Sequence, residues 1–120
     1  MHEASLIAEL ITAAEREVNR ARTEGRAPAE SRVQSITVTA GRLSGASAES
    51  LKFAFEAMRA GTLLETARLE VIHPLLPGLC RACGVRSQFE EAFTACPQCG
   101  SYDIYFEGGR ELLLTSIEIE

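Results

Sequence analysis

Apolar residues recur at helical spacing in the first part of the chain. The pattern predicts a helix that starts at Glu3, runs to about Arg22 and stops near Gly25. Charged residues fall mainly on the opposite face, so the apolar stripe is expected to pack against a core. The stripe consists of Leu6, Ile7, Leu10, Ile11, Ala14, Val18 and Ala21.

Two segments of alternating apolar and polar residues follow, separated by a second helical pattern. The alternation predicts strands over residues 32–40 and 68–73. Between them, Ser47 or a neighbour is the expected N-cap of a helix, and Gly61 is its expected stop. We interpret the apolar residues of this helix as core: Leu51, Phe53, Ala54, Phe55 and Met58.

The last third of the chain has a different pattern. Residues 74–78 are predicted to be a short linker, residues 102–106 a short strand and Gly108-Gly109 a turn. A final strand is predicted over residues 111–119, with a bulge near Ser116. This strand is long and apolar, so we expect it to return to the first sheet. The predicted domains are therefore a discontinuous one, 1–76 with 106–120, and a small one, 77–105.

All four cysteines of the chain lie in that small domain, in two C-x-x-C pairs, Cys80/Cys83 and Cys96/Cys99. Two such turns supply four thiolates, which form the closed tetrahedral shell typical of structural zinc. Iron, two disulfides or a redox pair are the alternatives. The absence of an apolar signal-like stretch at the N-terminus favours the reducing cytoplasm and argues against disulfides. Four thiolates leave no open position for water or substrate, so the pattern predicts a structural ion.

Composition and charge narrow the function classes. The chain has 120 residues, of which 46% are hydrophobic, so it can bury a core. Its net charge is −5, and the cysteine segment carries no basic stripe, which disfavours nucleic acid as a partner. No apolar run is long enough to predict a membrane span. With no phosphate loop, no G-x-S-x-G motif and no open-shell zinc pattern, an enzyme is not predicted.

The N-terminal sequence Met1-His2-Glu3 offers a different kind of metal chemistry. Because His2 is bulky, Met1 is expected to be retained. The terminal amine, the next two amide nitrogens and the His2 imidazole can then form a square plane of four nitrogens, which suits Ni(II) or Cu(II). An ordinary terminus without function is the alternative at this point.

Together these features resemble the HypA/HybF family of hydrogenase maturation nickel metallochaperones. The resemblance covers essentially the whole chain. It is carried by Met1-His2-Glu3, Gly41-Arg42-Leu43-Ser44, Leu51-Lys52-Phe53-Ala54-Phe55-Glu56, the knuckle beginning at Cys80, Cys96-Pro97-Gln98-Cys99-Gly100-Ser101 and the closing strand.

The resemblance implies a fold, two metals and partners. The implied fold is α+β, a small three-stranded sheet with two helices in a nickel-binding domain, joined to a zinc-ribbon-like four-cysteine domain. It implies nickel binding by Met1, His2 and Glu3, and zinc binding by the cysteines at positions 80, 83, 96 and 99. It further implies delivery of Ni(II) to the large subunit of [NiFe]-hydrogenase with a HypB-type GTPase, and in some members service to urease and its accessory proteins.

Some points stay open from the sequence. Some members of the family offer nickel a carboxylate from the loop before the second helix; Ser47 occupies that place here, and Glu49, two residues on, is only a candidate ligand. His73 precedes the cysteine segment and is a weak candidate for a further ligand. The chain is expected to be a monomer or a dimer. The alternative function is a zinc-ribbon adaptor that binds nucleic acid or a protein.

Overall fold

The computed structural model describes residues 3–120 and confirms the α+β class. The described residues form two helices and six strands. In chain order these are α1 Glu3–Thr23, β1 Val33–Ala40, α2 Ala48–Met58, β2 Arg68–Ile72, β3 Leu76–Cys80, β4 Arg86–Phe89, β5 Ile104–Phe106 and β6 Leu112–Ile119. Neither helix in this part of the chain combines the length and the apolar character needed to cross a bilayer.

The first helix follows the predicted stripe closely. α1 begins at Glu3 and ends at Thr23, within one residue of the expected end. Leu6 and Leu10 are only half-buried, because they lie at the border of the stripe. The fully buried members are Ile7, Ile11, Ala14, Val18 and Ala21. The apolar spacing therefore correctly predicted which face of α1 packs on the core.

The first sheet contains three strands in the order β2-β1-β6. The last strand thus joins the first two, which confirms that it returns to the first sheet. β1 is central and supplies Val33, Ile36 and Val38, all with 0% exposure. In β6 the half-buried positions change phase between Leu114 and Ile117. The predicted bulge at Ser116 lies at this change of phase and stays a prediction.

The second helix has the expected N-cap at Ser47, ends at Met58 before the expected stop at Gly61, and buries fewer residues than predicted. The Ser47 hydroxyl accepts a hydrogen bond from the Ser50 amide at 3.1 Å, which supplies the N-cap. Leu51 and Phe55 are buried. The interpretation of Phe53 as core is wrong, since its side chain is 70% exposed. Phe53 lies two residues from both buried positions, about 200° around the helix, and so points away from them.

The second sheet has the order β4-β3-β5, so β3 is its central strand. The prediction of a linker over residues 74–78 is therefore wrong for its second half, because β3 begins at Leu76. Leu76 is buried, and a Cβ at Gly78 would lie only 2.7 Å from the Phe89 ring and 2.8 Å from Ile104. The missing side chain of Gly78 makes room for neighbours on both flanking strands, which pack on β3 and hold it in the sheet.

The chain divides into two compact units. The first contains the chain up to Val38, Ala46–Ile72 and Leu113–Glu120, and the second contains Thr39–Gly45 and His73–Leu112. The predicted domain limits, 1–76 with 106–120 and 77–105, concern functional domains and stay a prediction.

The loop after β1 belongs to the second unit and pairs with the segment before β6. The Gly41 amide donates to the carbonyl of Glu111 at 2.8 Å, and the Leu43 amide donates to that of Gly109 at 2.6 Å. A Cβ at Gly41 would collide with the backbone carbonyl of Gly109. Glycine is thus required at position 41 because the two backbones approach each other directly.

Arg42 connects three parts of the second unit. Its guanidinium donates hydrogen bonds to the carbonyl oxygens of His73 at 3.0 Å, Pro74 at 2.9 Å and Glu90 at 2.9 Å. His73 and Pro74 begin the segment His73–Leu112 of the second unit, and Glu90 directly follows β4. The planar, five-donor guanidinium suits this task, since one side chain reaches three acceptors in fixed directions.

We therefore expect Arg42→Ala to destabilise the protein by roughly 1–3 kcal/mol, because partly exposed charged hydrogen bonds each contribute modestly. Arg42→Lys should recover only a small part, since an ammonium group cannot reach all three carbonyls together. Thermal unfolding followed by circular dichroism measures the change. Arg110→Ala is the matched control, because Arg110 is exposed and makes no hydrogen bond or ion pair with residues 3–120. Equal melting temperatures for Arg42→Ala and Arg110→Ala would refute this role.

Candidate metal centre

The fold brings the four cysteines to one place. Cys80 ends β3, Cys83 lies in the turn that leads to β4, and Cys96 and Cys99 lie in the turn region before β5. All four sulfur atoms are within 4.8 Å of one another. The second sheet thus positions two loops so that their thiols meet.

The two cysteine turns are built alike. The Gly84 amide donates to the carbonyl of Cys80 at 2.8 Å, and the Gly100 amide donates to that of Cys96 at 2.9 Å. The two glycines have φ of +81° and +79°, and a Cβ at either would meet nothing within 4 Å. Glycine is therefore needed for the left-handed backbone and not for space, as the C-x-x-C-G pattern predicts.

The sulfur separations fit a single tetrahedral ion. The Sγ atoms of Cys80 and Cys99 are 3.6 Å apart, and those of Cys83 and Cys96 are 3.7 Å apart. Zinc–sulfur bonds of about 2.3 Å in a regular tetrahedron place the sulfurs about 3.8 Å apart. The same distances exclude the two-disulfide alternative for this structure, in which all four cysteines are free.

The thiols are unequal in burial and in acidity. Cys80 and Cys96 are 1% and 3% exposed, whereas Cys83 and Cys99 are exposed. The Cys99 and Gln98 amides donate to the Cys96 sulfur and lower the pKa of that thiol to about 7. At Cys83 the Val85 amide lowers the pKa, but desolvation and the neighbouring thiols outweigh it and raise the pKa to about 12. Four thiolates are thus difficult to accumulate at neutral pH without a cation to compensate their charge.

Backbone amides also contact the sulfur atoms of Cys80 and Cys96. The Cys83 amide lies 3.4 Å from the Cys80 sulfur, and the Gln98 amide lies 3.4 Å from the Cys96 sulfur. Such amides stabilise thiolates and orient them toward a common centre. The donor set therefore fits a structural zinc ion, with no position left for a substrate.

His73 has a different role from a metal ligand. Its Nδ1 lies 2.9 Å from the carbonyl oxygen of Ala40, within the second unit. Among residues 3–120 the cluster of ligand-type side chains contains the four cysteines and not His73. His73 therefore ties the end of β1 to the segment before β3.

The predicted nickel ligands fall at the edge of the described structure. Met1 and His2 lie outside the described residues, and their assignment stays a prediction. Glu3, the third predicted ligand, is half-buried at the start of α1. It borders a surface groove of about 420 Å³ whose other walls include Ser50 and Phe53 of α2. The predicted nickel-binding end of α1 thus adjoins the first half of α2, where Glu49 occupies the first turn and is exposed.

Comparisons with known proteins agree with this architecture. A family described as "Hydrogenase/urease nickel incorporation, metallochaperone, hypA" matches residues 1–119. Hydrogenase maturation factor HypA of Prosthecochloris aestuarii is 43% identical over 120 residues, and that of Chlorobaculum tepidum is 38% identical over 120 residues. Both alignments cover 100% of this chain and 100% of the relative.

Solved structures share the fold at lower identity. The solution structure of the Ni metallochaperone HypA from Helicobacter pylori is 23% identical, with a TM-score of 0.60 over 98% of this chain and 97% of that one. A second solution structure of HypA protein is 22% identical, with a TM-score of 0.65 over 100% of this chain and 97% of that one. The match over residues 1–119 and the relatives aligned over their full length show that the chain belongs to the HypA family of hydrogenase/urease nickel-incorporation metallochaperones.

Proposed function

We propose that this protein binds Ni(II) at its N-terminus and delivers it to the large subunit of [NiFe]-hydrogenase during maturation. The supporting observation is the end-to-end match with a nickel-incorporation family, in a chain that starts with Met1-His2-Glu3. The protein acts as a carrier and not as an enzyme, because the nickel ion is released in the same chemical form in which it was bound.

The proposed nickel site consists of nitrogen donors. The amine of Met1, the amide nitrogen of His2 and the His2 imidazole close two fused rings around one ion and occupy three corners of a square plane, and Glu3 is proposed to supply the fourth donor. A square plane of nitrogens selects Ni(II) over metals that prefer tetrahedral or oxygen-rich sites. Ligands at a chain terminus also allow release, since the ion can be passed on without unfolding a core.

The four cysteines, 80, 83, 96 and 99, are proposed to hold a resident Zn(II) ion. Zinc supplies a fourfold cross-link between the two cysteine turns and no reactive position. Its role is to keep the second sheet and its loops in the shape that partner proteins contact. The close sulfur separations and the supporting amides favour this assignment.

The proposed partners are a HypB-type GTPase and the hydrogenase large subunit, with urease accessory proteins as further partners. The proposed compartment is the cytoplasm, because a reducing environment keeps thiols free for zinc. Free cysteines in the described structure are compatible with that compartment.

A gene-replacement experiment in the source organism, or in a relative with both enzymes, tests the delivery step. Loss of the gene is expected to abolish hydrogenase activity, and the wild-type gene or excess nickel in the medium should restore it. The His2→Ala gene should not restore activity at low nickel. Full restoration by His2→Ala would refute delivery from the N-terminal site. A defect in urease activity alone would identify urease, and not hydrogenase, as the enzyme that receives nickel.

Nickel affinity is expected to fall as pH falls. The amine, the amides and the imidazole bind nickel only after losing protons, so protons compete with the ion. Calorimetric titration with Ni(II) between pH 6 and pH 8 should show a steep decrease toward the acidic end. A pH-independent affinity over this range would contradict the proposed nitrogen ligands.

A further inference from the structure

A groove of about 580 Å³ lies between α1 and β6, within the first unit. One wall is a face of α1 around Arg16 and Arg20, extended by Arg26 beyond the helix. The other wall is the strand from Leu114 to Ile119. None of the predicted metal ligands lines it, so an inference about this groove does not depend on the nickel proposal.

The strand wall has an open edge. β6 stands last in the order β2-β1-β6, and in the part of the chain that the structure describes no strand pairs with its other edge. Its eight residues, LLLTSIEI, include neither lysine nor proline. Long edge strands often carry such residues, because an unprotected edge pairs readily with another extended chain.

The helix wall is basic, in contrast to the whole molecule. Three arginines and one glutamate, Glu17, line the groove, whereas the net charge of the chain is −5. Arg20 pairs with Glu17 at 3.1 Å and Arg26 with Glu24 at 2.7 Å, but all four side chains are about half exposed. Pairs this exposed are weak and exchange easily for a new carboxylate. Among residues 3–120, Arg16 takes part in no ion pair at all.

We propose that this groove binds an extended acidic segment of a partner protein, which adds as a fourth strand along the open edge of β6. Strand addition gives affinity through main-chain hydrogen bonds, and alternate side chains give specificity. Carboxylates on the side toward α1 meet Arg16, Arg20 and Arg26. The apolar side chains that alternate with them point to the opposite face of the sheet, as the exposed Leu113 does.

The dimensions set the length of the segment. The six residues from Leu114 to Ile119 extend about 20 Å as a strand. An added strand of about six residues therefore fills the groove. α1 presents Arg16 and Arg20 one helical turn apart, about 6 Å along its axis, which is close to the spacing of alternate residues in a strand.

Two other occupants are less suited to this groove. Single-stranded nucleic acid would use arginines, but it also favours aromatic stacking surfaces, and no aromatic residue lines the groove. A second copy could pair β6 with β6, but that strand offers one carboxylate, Glu118, to the three arginines of the groove. A separate acidic segment satisfies both the strand edge and the arginines.

A peptide titration of the zinc-loaded full-length protein tests the proposal. The probe is an eight-residue peptide that alternates glutamate with valine. One comparison peptide replaces the glutamates by lysine, and another places proline at two central positions. Amide chemical shifts in ¹⁵N-labelled protein locate binding, and amide hydrogen exchange detects new main-chain hydrogen bonds.

We expect saturable shifts confined to β6 and the 13–21 face of α1, with exchange of β6 amides slowed by the acidic peptide. Arg16→Glu should weaken binding at least about tenfold, since it replaces an attraction by a repulsion. Arg68→Glu is the matched control, because it makes the same charge change on β2, at the opposite edge of the sheet, and should leave binding unchanged. A melting curve for each variant verifies that it is folded.

Several results would overturn the proposal. They are the absence of saturable binding, equal binding of the lysine or proline peptide, shifts that map elsewhere, or equal loss of affinity in Arg16→Glu and Arg68→Glu. Tighter binding of a single-stranded oligonucleotide at the same residues would assign the groove to nucleic acid. A dimer by light scattering with β6 amides already protected in the absence of peptide would assign the edge to a second copy.

Discussion

Nickel binding is expected to be lost completely in His2→Ala. The imidazole closes one of the fused rings around the ion, and without it the amide nitrogens have little tendency to lose their protons to Ni(II). Calorimetric titration of the zinc-loaded variant should show no heat of nickel binding above dilution. Zinc content and circular dichroism should equal those of the wild type, because residue 2 is distant in sequence from the cysteines and precedes α1.

The chain offers a matched control for this variant. It has two histidines, His2 and His73. His73 is hydrogen-bonded to the carbonyl of Ala40, so His73→Ala should cost some stability and leave nickel affinity unchanged. Unchanged nickel affinity in His2→Ala, or equal losses in both variants, would rule out the N-terminal site.

The second large effect is expected for Cys96→Ser. Cys96 is buried, and its sulfur receives amide hydrogen bonds that hold it toward the other three. Structural zinc contributes about 10–16 kcal/mol in small zinc-binding peptides, comparable with the whole stability of a domain. We therefore expect Cys96→Ser to lose zinc during purification and to lose fixed structure in the second unit, as measured by elemental analysis and amide spectra.

Ala82→Ser serves as the control within the same cysteine turn. Ala82 lies between two proposed ligands, is exposed and offers no ligand atom, so its substitution should retain one zinc per chain. The helices should persist in Cys96→Ser, because α1 and α2 pack on a core of their own that includes Ile7 and Phe55. One full equivalent of tightly bound zinc in Cys96→Ser would contradict the four-thiolate site.

The sequence predicted the elements whose side chains alternate between water and core. α1 was recognisable because its stripe obeys one period over 21 residues. The return of β6 to the first sheet followed from its length and apolar content, which the small cysteine module could not bury. These features depend on local spacing and on burial, and both can be read from residue types.

The errors arose where tertiary contacts decide the structure. Phe53 looked like core because it is aromatic and lies among apolar neighbours, yet its angular position on α2 points it outward. Leu76 and Gly78 looked like a linker because prolines surround them, yet Phe89 and Ile104 close over Gly78 and make β3 a central strand. The role of Arg42 could not be predicted, since its three acceptors are backbone carbonyls more than 30 residues away.

The two proposed metal sites differ in how far the sequence alone predicts them. The C-x-x-C spacing alone predicted that the four cysteines would meet, and the structure brings their sulfurs within 4.8 Å. The Met1-His2-Glu3 site has no such signal, because terminal amines and backbone amides occur in every chain. Only the resemblance of the whole sequence to a nickel-carrier family suggested that this terminus binds nickel, and the family match supports the same interpretation.

Native mass spectrometry with added Ni(II) tests the central claim most directly. The unmodified zinc-loaded protein is expected to bind one nickel ion in addition to its zinc. The same protein acetylated at its N-terminal amine is expected to keep the zinc and bind no nickel, because the first nitrogen ligand is blocked. Nickel bound equally by the acetylated protein would show that the ion is held elsewhere and would contradict the proposed carrier site.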